Sequence, residues 1–171
     1  VATDYEGLGG PGLHPYLVSE SEARSIFGIA RAARELDGRV RPDLLMWGFS
    51  QGGHAVLSAA ALAADLAPEF TIVATVAVAP AINLDGWVPA ALGTSQQGYI
   101  AAIVAGFAAA YDLDVTDVLT PRAVELLDEV KTSCSDPSIY AISSLSSSGA
   151  FVVEPTQIEP WATLLAENSP E

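Results

Sequence analysis

Ser50 stands at the centre of Gly48-Phe49-Ser50-Gln51-Gly52, directly after the apolar run Leu44–Phe49. A serine hydroxyl attacks a carbonyl only when a neighbouring base takes its proton. Small residues on both sides, here Gly48 and Gly52, let a buried strand bend sharply into a helix, the G-x-S-x-G arrangement of a nucleophile elbow. A serine at such a bend takes positive φ, a strain of about 1–3 kcal/mol that only its surroundings can hold. The helix behind it turns free N–H groups and its positive end toward the hydroxyl. The backbone N–H of Gln51 is therefore the candidate oxyanion donor, and losing one such donor typically costs about 2.7–4 kcal/mol of barrier. The plain alternative is a tight strand-to-helix turn whose hydroxyl only caps the helix.

The base is harder to place. The chain has 2 histidines. His54 lies four residues past Ser50 in the same helix, where the positive helix end disfavours the imidazolium that a base must become. It also departs from the order serine, acid, histidine of this elbow, since no acid lies between. Packing beside the elbow, bonded to a nearby loop, is the alternative for His54. His14 precedes Pro15 in a glycine-rich loop and is read as a loop or pocket-lining residue, with a role as base the other reading. Asp85 follows the strand ending near Ala79–Ile82 and is the candidate triad acid. Asp112, Asp114 and Asp117 read as a solvated turn, and Asp4 and Glu6 as residues that hold the first loop. No zinc-type spacing and no basic run occurs, so neither a metal nor another cofactor is expected.

These side chains need a scaffold. Val1–Asp4 reads as a short strand, and Tyr5–Val18, rich in glycine and proline, as a loop. Ser19 and Glu22 have capping-box spacing. Ile26, Phe27, Ile29, Ala30, Ala33 and Leu36 then recur at helical spacing up to Asp37-Gly38. Leu44–Phe49 is a strand, Gly52–Leu66 an alanine-rich helix stopped by Pro68, and Phe70–Ala79 a β-branched run suited to burial on both faces. Alternating strands and helices imply an α/β fold with a parallel sheet, whose ligands sit at the carboxyl ends of the strands. Beyond Asn83 the pattern turns helical, at Gly98–Tyr111, Pro121–Thr132, Pro137–Leu145 and Gln157–Glu167. Ser143–Gly149 reads as a flexible joint and Ala150–Val153 as a short strand. Residues 1–83 are thus a partial sheet domain, and 84–171 a helical insertion or cap. The helix Tyr99–Tyr111 is apolar all round, which suits either the core of that cap or a face toward an acyl chain.

Composition narrows the partners. The 171 residues are 50% hydrophobic, enough for a packed core. A net charge of −14, from 21 acids against 7 bases, argues against nucleic acid and anionic membrane surfaces. The apolar runs are shorter than the ~20 residues that span a bilayer. Cys134 is the single cysteine, a small apolar filler or the partner of a thiol elsewhere.

Thr3-Asp-Tyr-Glu-Gly-Leu-Gly9, His14-Pro-Tyr-Leu17, Glu20-Ser-Glu-Ala23 and Gly48-Phe-Ser-Gln-Gly-Gly-His54 together resemble the secretory lipases of fungi and actinobacteria. The resemblance is closest over about residues 1–85. It implies part of an α/β-hydrolase fold with a helical cap or lid, and extracellular cleavage of lipid or other carboxylic esters. It further implies an acyl-enzyme at Ser50, and Gln51 as the oxyanion residue. The acid and base of that family lie on strands beyond the cap, and its second oxyanion donor on a loop ahead of residue 1. The chain accordingly reads as an internal fragment, truncated at both ends and inactive alone, with interfacial contact through the cap. An acyltransferase on the same fold, and a non-catalytic lipid-binding or interaction module, are the rival readings.

Overall fold

The computed structural model describes residues 1–130 and 136–170, and Cys134 lies outside the described residues. Two compact units emerge, Val1–Ile82 with the segment from Asn168 onward, and Asn83–Glu167. The second boundary differs from the sequence reading. The closing residues return to the first unit, where Asn168 Oδ1 accepts the Ser19 N–H at 2.8 Å.

The first unit runs α1 (Ser19–Leu36), β1 (Asp43–Phe49), α2 (Gln51–Leu66) and β2 (Thr71–Val78). β1 and β2 pair in parallel from Asp43 opposite Thr71 to Phe49 opposite Val78, with one irregularity between Leu44 and Leu45. The apolar stripe of α1 faces the small side chains of α2. Ala23, Phe27, Ala30, Met46, Val56, Ala59, Ala67 and Phe70 form one buried cluster. Phe27 and Phe70 stack within it at 6.3 Å between ring centroids. Side chains of this size contribute about 1.5–3 kcal/mol each when fully buried, so the cluster anchors both helices to β1.

Three expectations change here. Residues 1–4 form no strand, and no strand among the described residues pairs with them. Ser19 is not the cap of α1. Val18 is, without a side-chain bond, and Glu22 instead accepts the Leu17 N–H at 3.2 Å. Nor is β2 buried on both faces. Both helices pack on the Met46 face, which leaves Leu45, Trp47 and Phe49 at 69%, 64% and 61% exposed and Val73 at 58%.

The second unit holds α3 (Leu84–Ala91), α4 (Gln97–Tyr111), α5 (Pro121–Val130), α6 (Asp136–Ser143), α7 (Ser147–Ala150) and α8 (Trp161–Glu167). α4 is core: Ile100, Ala101, Ile103, Val104 and Phe107 are all buried. Gly98 lets α6 approach, since a Cβ there would stand 2.1 Å from the Ile139 carbonyl oxygen. Buried Gln97 staples the same junction. Its amide donates to the carbonyls of Ile142 at 3.0 Å and Leu145 at 2.7 Å and accepts the Gly93 N–H at 3.0 Å. The expected joint at Ser143–Gly149 holds the short helix α7, capped by Ser146, whose hydroxyl accepts the Gly149 N–H. The expected strand near Ala150 is a single bridge between Leu119 and Phe151. A 3-10 turn at Pro155–Gln157 precedes α8. Among the described residues no helix is long and apolar enough to cross a membrane.

Candidate active site

Ser50 occupies the junction of β1 and α2 with φ 55° and ψ −116°, and its side chain is exposed. That backbone belongs to the left-handed half of conformational space, which non-glycine residues enter only when the surroundings impose it. The restraints are visible. The Ser50 N–H donates to the Val78 carbonyl at 3.0 Å, continuing the sheet ladder, and the Ser50 carbonyl accepts the His54 N–H at 3.1 Å. Gly48 supplies the room: a Cβ there would stand 1.9 Å from the Gly52 carbonyl oxygen. Gly53 matters likewise, its Cβ position lying 2.9 Å from Pro80, whereas a Cβ at Gly52 would meet nothing. The sequence pattern pointed to Gly52, yet the close approaches fall at Gly48 and Gly53.

The hydroxyl makes no capping bond to α2, contrary to what a mere helix cap requires. The N–H groups of Gln51, Gly52 and Gly53 meet no acceptor among the described residues. An exposed hydroxyl therefore stands beside unsatisfied backbone donors at a positive helix end, where a developing oxyanion is stabilised.

Both histidines are engaged elsewhere. His54 is fully buried. Its Nδ1 donates to Glu22 Oε2 at 2.6 Å, and its Nε2 meets the Asn168 carbonyl at 2.9 Å. His14 Nδ1 donates to the Glu6 carbonyl at 2.9 Å, which leaves Nε2 as an acceptor for the Gln51 side-chain amide at 2.6 Å. The tautomers follow from these partners. No hydrogen bond joins either ring to the Ser50 hydroxyl among the described residues. Asp85 stands exposed in the first turn of α3, in the second unit rather than the one that holds Ser50.

Sequence reasoning missed the residue at the centre of this arrangement. Glu22 is a carboxylate with no exposed surface. Its Oε1 accepts from the Leu17 N–H and from Gln51 Nε2 at 2.8 Å, while Oε2 takes His54. A signal was present: Glu22 lies one helical turn before Ile26 and two before Ala30, in line with an apolar stripe. Tyr5 stacks on His14 at 5.6 Å, and burial first, then the Glu22 charge, pushes its phenol up to about 12. No group of His, Cys, Asp and Glu suited to hold a metal ion occurs among the described residues.

Comparison with known proteins gives the family and the fold. Residues 1–158 match the secretory lipase family. Among solved structures, Candida antarctica lipase A superposes with a TM-score of 0.77 at 19% identity, covering 91% of this chain and 38% of that one. The rice cell wall degrading esterase LipA from Xanthomonas oryzae gives 0.75 at 21%, covering 98% and 52% respectively. No curated protein matches the sequence. The chain thus spans between about two fifths and half of the length of these structural neighbours, and its two-stranded parallel sheet with the elbow is part of a lipase-like α/β-hydrolase fold.

Proposed function

This chain belongs to the secretory lipase family, and from that premise we propose that it carries the nucleophile of an extracellular serine hydrolase acting on lipid or other carboxylic esters. Ser50 Oγ attacks the ester carbonyl and gives its proton to a base. The Gln51 N–H holds the resulting oxyanion, the alcohol leaves with a proton, and water releases the acid from the acyl-enzyme. The second unit, Asn83–Glu167, is the helical cap in this reading. The base belongs to sequence outside this chain, because His14 and His54 both spend their ring nitrogens on structural partners. On the same ground the chain alone is expected to be inactive.

One observation carries the proposal: a serine held at φ 55° without a capping bond, exposed beside free helix N–H groups. The test uses the full-length protein. A fluorophosphonate probe is expected to label Ser50, and Ser50→Ala to abolish labelling and lower ester hydrolysis by about 10⁴-fold or more. An unlabelled Ser50 would favour a lipid-binding module instead. Product analysis with an added alcohol separates hydrolysis from acyl transfer.

A further inference from the structure

We infer that Glu22 and His14 are positioning residues that hold the Gln51 peptide N–H in place as the oxyanion donor. The inference rests on the nucleophile role proposed for Ser50. Gln51 is the first residue of α2, and Gly52 and Gly53 after it carry no side chain with which to tie the turn down. Among the described residues the Gln51 amide is therefore the side-chain anchor of the first three residues of α2. Its Nε2 has two hydrogens and two acceptors, Glu22 Oε1 at 2.8 Å and His14 Nε2 at 2.6 Å, so the fork is fully used. His14 accepts there because its Nδ1 proton is already given to the Glu6 carbonyl. The glycine-rich loop, the start of α1 and the start of α2 thus meet on one amide group.

A carboxylate behind an oxyanion site would by itself oppose the charge that forms there. His54 answers this. Its Nδ1 donates to Glu22 Oε2, while the Leu17 N–H and the Gln51 amide donate to Oε1. Three donors thus share the carboxylate, and what it presents to the elbow is an oriented amide. Oxyanion donors act by standing ready before the reaction, and small displacements are costly.

The test uses the full-length protein, a soluble p-nitrophenyl ester and a trifluoromethyl ketone, which mimics the tetrahedral intermediate. Gln51→Met, which keeps the backbone N–H, is expected to lower kcat roughly 10-fold with KM within about two-fold. It should weaken the ketone by the same factor as kcat/KM, while the fluorophosphonate still labels Ser50. Gln51→Glu is nearly isosteric, but it turns an oxygen on Glu22 and on the His14 lone pair, so it is expected to lose more than Gln51→Met. A purely space-filling role ranks the two the other way. His14→Phe keeps the stack on Tyr5, removes the acceptor, and is expected to reproduce the kcat loss; it serves if the Gln51 variants fail to fold. Unchanged kcat and unchanged ketone affinity in any folded variant of the three would overturn the inference while leaving the esterase reading intact. An unlabelled Ser50 in the unsubstituted protein would overturn both.

Discussion

Glu22 has no exposed surface, and burial of a carboxylate is tolerated only with full hydrogen bonding and a compensating partner. It has three donors: Leu17 N–H, the Gln51 amide and His54 Nδ1. Its charge also reaches Tyr5, whose phenol is pushed up to about 12 by burial and, second, by Glu22. The folded pKa lies above the ordinary value of 10.0, so the unfolded chain loses the phenolic proton first. The corresponding stability is intact below about pH 10 and is lost as pH rises toward about 12. Urea midpoints at about pH 9 and about pH 11.5 should therefore fall less between the two in Tyr5→Phe than in the unsubstituted protein; equal falls would contradict a shifted Tyr5.

At the scale of elements, the junction of β1 and α2 is where the proposed chemistry would sit, and its steric demands are uneven. Gly48→Ala puts a Cβ 1.9 Å from the Gly52 carbonyl oxygen. It is expected to cost about 1–3 kcal/mol in urea unfolding, as overpacking does, and to slow fluorophosphonate labelling. Gly52→Ala meets nothing and exchanges glycine for the best helix former, so stability should hold or rise by up to about 1 kcal/mol. Equal losses at the two positions would refute this division. α1, β1, α2, β2 and α4 were legible in the sequence because their apolar spacing repeats over many residues. α3 and α7 were not. Both are short: α3 is preceded by Asn83 in the left-handed conformation without a side-chain cap, and the serine-rich composition of α7 looks like a linker.

At the scale of the whole chain, the bare side of the parallel pair stands out. Leu45, Trp47, Phe49 and Val73 are all more than half exposed, an apolar patch of the kind soluble proteins seldom show to water. The residues 1–171 expressed alone should bind an apolar dye such as 8-anilinonaphthalene-1-sulfonate with a strong rise in fluorescence, and Trp47→Lys with Phe49→Lys should reduce that rise without lowering the urea midpoint. No rise, or a large drop in midpoint, would mean that this face is covered. The exposed pairs Arg24–Glu20 and Arg39–Asp37 add little to stability, as surface pairs generally do, and the net charge of −14 governs solubility rather than fold.

The sequence by itself determined the sharp strand-to-helix turn at Ser50 and the order of α1, β1, α2 and β2, because local spacing and small residues specify a turn and a period. Only the tertiary structure decided that Glu22 is an interior hub rather than a capping residue, that His14 and His54 serve the scaffold, and that Gly53 rather than Gly52 is crowded. Those outcomes depend on contacts between residues far apart in the chain, Glu6 with His14, His54 with Asn168 and Gly53 with Pro80, and no local pattern encodes which acceptor a ring nitrogen will meet.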